Sequence, residues 1–175
     1  SRDKLRALQY LTKKNIDIPK TVMMKTIDNL DHALELVGGV PCIIKLLQGT
    51  QGIGVMIAES RQAAQSVLDT LLGLNQDIIV QQCVKESIGR DIRAFVIGHR
   101  VVAAMRREAK PGEFRSNIHR GGEGVTVQLP RKYARLAVEA TKMMGLRIAG
   151  VDILESKEGP KVLEINSSPG FEGLE

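Results

Sequence analysis

Residues 151–166 of this 175-residue chain read VDILESKEGPKVLEIN, two strand-like runs around a polar turn. Apolar Val151, Ile153, Leu163 and Ile165 alternate with Asp152, Glu164 and Asn166. A hairpin turned near Glu158 therefore sends the apolar set to a core and the polar set to the other face. In that register Asp152 faces Glu164. Cross-strand neighbours have Cβ atoms about 4.5–5.5 Å apart, and like charges at that spacing destabilise a sheet. Something positive belongs beside them. A divalent cation would serve: two carboxylates and an amide oxygen make a hard-oxygen site, with no His or thiolate to favour zinc. The alternative is a solvated strand face. On the repulsion argument, Asp152→Asn or Glu164→Gln keeps the fold and raises the stability of the metal-free chain by about 0.2–1 kcal/mol.

The rest of the chain mixes helices with hairpins, which predicts an α+β fold rather than a doubly wound parallel sheet. Leu5, Leu8 and Leu11 have helical spacing, broken at Pro19. A second helix over 28–37 stops at Gly38 and Gly39. CIIKLL is an apolar strand, followed by QGTQGIG and a second strand, VMIA. Ser60 caps a helix through Leu72, and DIIVQQCV is the next strand. DIRAFVIGHRVVAAMRRE reads as a hairpin turning at Gly98 and His99. A loop over 109–124 leads to a short strand, VTVQL, and to a helix from Pro130 to Met144 with its proline at the start.

Two further groups carry chemistry. KLLQGTQGIGV places Gly49, Gly52 and Gly54 between strands, without the Lys-Ser/Thr of a Walker A loop or the helix of a dinucleotide fingerprint. Such a tip is either a plain flexible turn or a flap offering N–H groups to phosphates. Lys45, the one charge in its strand, is either a snorkelling side chain or a point charge for phosphate. The second group is an arginine array: Arg93 and Arg107 on the central hairpin, then Arg115, Asn117, His119 and Arg120 in EFRSNIHRGG. It is either a solvated basic face or a bidentate site for phosphate or carboxylate. His119 is a candidate base or an incidental hydrogen-bonder, and no Ser-His or Cys-His arrangement suggests a protein nucleophile.

The net charge of +5 suits an anionic partner such as nucleotide phosphates, an acidic peptide or RNA. With only three Phe and two Tyr, stacking platforms for single-stranded nucleic acid are poor. No apolar run approaches the roughly 20 residues needed to span a bilayer. Cys42 and Cys83 read as buried strand thiols in a reducing, cytoplasmic setting. The first residue is not Met and the chain stops at GFEGLE, which suggests a piece of a longer protein.

Strand lysine, glycine loop, DIR, FRSNIHRGG, VDIL and EINSSPG occur in one order that resembles the ATP-grasp superfamily of carboxylate–amine ligases. Within it the chain is most similar to the RimK group, the glutamate ligases that modify a small-subunit ribosomal protein. The resemblance runs along essentially the whole chain. It implies two α+β subdomains with mostly antiparallel sheets that clamp ATP: residues 1–82, lid-side with the glycine loop, and 83–175, with the metal site. It implies that Lys45, and Lys4 with it, contact phosphates, together with the loop glycines Gly49, Gly52 and Gly54. Gln82 and Cys83 would hold adenine, although QQCV departs from the usual Glu-aromatic hinge, and Asp91 would lie at the ribose side. Arg115, Ser116 and Asn117 would line the phosphate region, with Arg107, Arg115 and Asn117 catalytic. Asp152, Glu164 and Asn166 would hold two Mg²⁺ or Mn²⁺ ions.

The implied reaction activates a protein or peptide C-terminal carboxylate as an acyl phosphate. An amine, L-glutamate or another amino acid, then attacks it. A homo-oligomer is expected, with no membrane partner. Related ligases acting on lysine-biosynthesis carriers or cofactor tails remain open, as does a non-enzymatic ribosome- or RNA-binding module. A protein kinase is disfavoured, because its glycine loop precedes its lysine and an H-R-D motif follows.

Overall fold

A computed structural model describes residues 4–47, 54–116 and 122–170. The chain divides into a small unit, Pro19–Cys83, and a large unit formed by the chain up to Ile18 and from Val84 onward.

The small unit contains β1 (Thr21–Met24), α2 (Leu30–Val37), β2 (Cys42–Leu46), β3 (Val55–Ala58), α3 (Arg61–Gly73) and β4 (Ile78–Gln82). Its sheet is antiparallel, in the order β1-β4-β2-β3. Cys42, Ile44, Ile78 and Val80 turn one face toward Leu30, Ala33, Leu34 and Val37 of α2 and Ala64 and Leu68 of α3. Ser60 caps α3 as expected, its hydroxyl accepting the Ala63 N–H at 3.1 Å. Gly38 ends α2 at φ 89°, and its N–H and that of Gly39 close back on Glu35 and Leu34. Not expected from the sequence was β1, a four-residue edge strand that starts two residues after Pro19, so the proline needs no ladder partner.

The large unit contains α1 (Lys4–Lys13), β5 (Arg90–Ile97), β6 (Arg100–Glu108), β7 (Glu123–Thr126), α4 (Arg131–Met143), β8 (Ile148–Ser156) and β9 (Gly159–Asn166). Its sheet is also antiparallel, in the order β7-β6-β5-β8-β9. Ala94, Val96, Ala149, Val151, Ile153, Val162 and Ile165 form a core with Ala137 and Ala140 of α4 and with Leu11 and Ile16. The expected strand VTVQL is shifted: β7 stops at Thr126, Leu129 packs on the core, and Pro130 leads into α4.

The observed division departs from 1–82 and 83–175 at its N-terminal end. Leu11 and Ile16 belong to the core of the large unit, and the Val162 N–H donates to the Asp17 carbonyl at 2.7 Å. Helical periodicity shows that α1 has an apolar face but not which sheet it covers.

Asp152 does pair with Glu164, by a route that alternation alone does not give. From the tip, Ser156 pairs with Gly159 and Ile153 with Val162, a spacing that would put Leu163 opposite Asp152. A bulge between Asp152 and Ile153 takes up one residue, so Glu164 arrives there instead. Val162, fully buried, thus takes the core position expected of Leu163, which is only partly buried.

Candidate functional site

On the face of the large sheet away from α4, register aligns Met105, Arg93, Asp152 and Glu164 across β6, β5, β8 and β9. Arg107 lies opposite Asp91. Arg93 grips Asp152 with its fork, Nε to Oδ1 at 2.7 Å and Nη2 to Oδ2 at 2.8 Å. Arg107 is only 3% exposed; its Nε donates to Asp91 Oδ1 at 2.7 Å, and its Nη2 lies against Asp91 and 2.9 Å from Asp152 Oδ2. The positive charge beside the facing acids is therefore protein-borne. This corrects the stability expectation: Asp152 is a paired buried carboxylate, and neutralising it strands two guanidiniums rather than relieving repulsion.

Burial opposes ionisation at all three groups, and their partners answer it differently. Arg107 and Arg93 outweigh burial at Asp152 and hold its carboxyl below the usual range. At Asp91, burial pushes the carboxyl up against the pull of Arg107 and of a hydrogen bond from Ser116. At Arg107, burial is overcome by Asp152 and Asp91, which push its proton affinity up. Asp91 and Arg107 were expected at the ribose side and among the catalytic groups; in the structure each is engaged by the other.

Glu164 and Asn166 differ from Asp152. Among the described residues neither side chain has a hydrogen-bond or ion-pair partner, and Glu164 is only partly buried. At the end of β9 the chain folds back, and a Cβ on Gly150 would meet the Pro169 ring at 2.6 Å. Glycine there lets the SSPG segment pass close over this face.

Arg115 is clamped from within its loop. Glu113 Oε1 accepts from the Phe114 and Arg115 backbone N–H groups at 2.9 and 3.0 Å and from Arg115 Nε at 2.9 Å, while Oε2 accepts from Nη2 at 2.8 Å. The guanidinium also lies over the Phe114 ring, 5.0 Å from its centroid. The Arg115 side-chain hydrogen bond holds the Glu113 carboxyl down at about 2. Asn117, His119 and Arg120 lie outside the described residues, as do Gly49 and Gly52.

In the small unit Lys45 Nζ donates to Gln81 Oε1 at 2.7 Å, and Gln81 Nε2 donates to the Thr21 hydroxyl at 2.8 Å. Gln81 is 2% exposed and shares the Lys45 face, being opposite Ile43. It was missed in the sequence, where its neighbour was chosen; a polar residue following IIV was the available signal. Gln82 ends β4, its N–H bonded to the Lys20 carbonyl at 2.8 Å and its Oε1 3.3 Å from the Lys20 nitrogen. Cys83 follows, buried. Burial, and then the neighbouring Cys83, push the Cys42 thiol up to about 11, which suits a packing role. Gly54 holds φ 76°, and a Cβ there would meet Leu46 at 2.9 Å. Lys4 lies in the first turn of α1, in the large unit.

A family model described as the RimK-like ATP-grasp domain matches residues 1–175. The chain belongs to that family. It is 55% identical over 175 residues to a probable alpha-L-glutamate ligase 2 of Shewanella denitrificans and 52% identical to a probable alpha-L-glutamate ligase of Coxiella burnetii, covering all of this chain in each case. The chain spans 58% of the length of these curated relatives. Among solved structures, the ATP-grasp ligase PsnB complexed with minimal precursor, Mg and ADP superposes with a TM-score of 0.76 at 23% identity, over 98% of this chain and 51% of that one. This similarity establishes the ATP-grasp fold, and the two antiparallel sheets with their helices are its α+β architecture.

The donor set on the large sheet fits a hard divalent ion. Among the described residues no three His, Cys, Asp or Glu gather into a metal cage. Two carboxylates and an amide instead suit Mg²⁺, which keeps water and phosphate oxygens among its ligands. Among the described residues nothing engages the side-chain oxygens of Glu164 and Asn166, and Asp152 would share its carboxylate with arginines. Among the described residues no helix is long and apolar enough to cross a membrane.

Proposed function

We propose that this protein is an ATP-dependent carboxylate–amine ligase that adds L-glutamate to a protein or peptide C-terminal carboxylate through an acyl phosphate. The observation that carries this reading is the Asp152–Glu164 pair with Asn166 beside it and guanidiniums behind it, in a RimK-like ATP-grasp domain. The names of the relatives favour glutamate as the amine. A small-subunit ribosomal protein is the acceptor we favour, in a cytoplasmic homo-oligomer.

The carboxylate of the acceptor takes the γ-phosphoryl group of ATP, giving an acyl phosphate and ADP. The amine then attacks the acyl carbon, and phosphate leaves. Asp152, Glu164 and Asn166 would hold two Mg²⁺ or Mn²⁺ ions, which would neutralise phosphate charge. Arg115, with Ser116 and Asn117, would offset the charge that develops on the transferred phosphoryl group. Lys45, Lys4 and the loop glycines contact phosphates, and backbone groups at Gln82 and Cys83 take adenine. We assign Arg107 and Asp91 to holding Asp152 in place, because their polar atoms face each other and Asp152.

Hydroxylamine trapping tests the reaction class. The intact protein, given ATP, acceptor and hydroxylamine, should yield an acceptor hydroxamate and ADP, and Arg115→Ala should lose the hydroxamate. Stable phosphate on the acceptor, without amide or hydroxamate, would rule out the ligase reading.

A further inference from the structure

The arginines that offset Asp152 also limit what it can still accept. A carboxylate has about four acceptor positions. Arg93 Nε takes one on Oδ1, while Arg93 Nη2 and Arg107 Nη2 take two on Oδ2. Register sets the sides: Arg93 meets Asp152 from β5, and Glu164 lies across from it on β9. We propose that Arg93 is a positioning residue for metal binding: it fixes Asp152 through its fork, leaves Oδ1 as the coordinating oxygen, and weakens the site's hold on a free divalent ion. The inference rests on the metal assignment made above.

Charge gives the reason. Asp91, Asp152 and Glu164 are three carboxylates set against the two guanidiniums of Arg93 and Arg107. The small negative excess attracts a dication weakly until phosphates add their own charge. Metal and nucleotide therefore load together, and free metal binds poorly. Arg93 keeps a planar two-point contact that a lysine cannot reproduce, so the carboxylate stays in one orientation whether or not an ion is present.

The test uses the intact protein and Mn²⁺ without nucleotide, with free Mn²⁺ read by electron paramagnetic resonance. Arg93→Gln should bind Mn²⁺ about tenfold more tightly than the parent, since a nearby positive charge is gone. Its metal-free Tm should fall by on the order of 5 °C and recover as Mn²⁺ is added. Arg93→Lys, which keeps the charge but loses the fork, should bind Mn²⁺ no more tightly than the parent. If Mn²⁺ binding does not depend on Glu164, tested with Glu164→Gln, the metal site itself is wrong. Binding that depends on Glu164 but is no tighter in Arg93→Gln overturns the role of Arg93 alone. A second measurement needs no variant: the Arg93 Nε–H resonance of the parent should remain protected from exchange when Mg²⁺ and a non-hydrolysable ATP analogue are added. Its loss would likewise overturn the proposal.

Discussion

Lys45 on the small sheet and Asp152 on the large one are both charged groups on strands, yet the partners shown beside them differ in kind. Lys45 bonds to the neutral amide of Gln81, which bonds in turn to the Thr21 hydroxyl. Asp152 is gripped by two guanidiniums, one of them shared with a second buried carboxylate. At Lys45 a neutral amide brings a dipole to the ammonium group. A carboxylate that is 4% exposed needs opposite charge, because the desolvation cost of an unpaired buried ion is several kcal/mol. The two sheets thus bring different partners to a strand charge: an amide dipole at Lys45, full opposite charge at Asp152.

The largest expected effect tests that balance. In metal-free intact protein, Asp152→Asn should lose about 3 kcal/mol of stability in urea unfolding, since it leaves buried guanidiniums short of charge. Glu164→Gln, at a side chain without a partner among the described residues, should stay within about 0.5 kcal/mol. Both should abolish turnover. Equal stability losses in the two variants would break the contrast between paired and unpaired acids.

On the small sheet, Lys45→Ala should weaken ATP binding by roughly 1.5–3 kcal/mol, the scale of a charged hydrogen bond. Isothermal titration showing the parent affinity would remove Lys45 from the phosphate site. Gln81→Leu should cost about 1–3 kcal/mol of stability, because the Thr21 hydroxyl and Lys45 lose a partner beside a buried position. A neutral result there would mean that the amide does not support the lysine.

The smallest effect belongs to Glu113, whose carboxyl is held at about 2 against an ordinary 4.5. Its folded value is depressed, so its contribution is complete above about pH 4.5 and is lost as pH falls through 2. The side chain is about a quarter exposed, in a surface loop, so solvent screening leaves only about 0.2–1 kcal/mol at stake. Parent and Glu113→Gln should differ in thermal unfolding at pH 6 and converge near pH 2. A gap that persists in acid would assign the clamp to packing rather than charge.

Local patterns in the sequence made most of the elements readable. Ser60, Gly38 and the Gly98–His99 turn each act within a few residues, and each does what its chemistry dictates. The acid pair was visible because alternation and a short turn bring Asp152 and Glu164 together. What could not be read was which strand lies on the far side of β8. Arg93 and Asp91 alternate on DIRAFVI, but only the strand order β6-β5-β8-β9 makes them neighbours of Arg107 and Asp152. Long-range order of this kind is settled by burial of whole faces, and no local motif records it. The same holds for α1, whose apolar stripe is evident while its sheet is not.

Leu163 carries a separate consequence. Val162 and Ile165 both face the core although they lie three positions apart, an odd spacing, because the bulge absorbs the odd residue. Removing Leu163 would leave two apolar residues spaced by two with Glu164 between them, so every existing cross-strand partner could be kept. The extra residue is therefore not needed for who meets whom. What it adds is a bend and a tighter twist just where the acids stand. Partnership and aim are thus encoded separately in this hairpin, and a one-residue deletion could leave a folded protein whose Glu164 and Asn166 point along the wrong line.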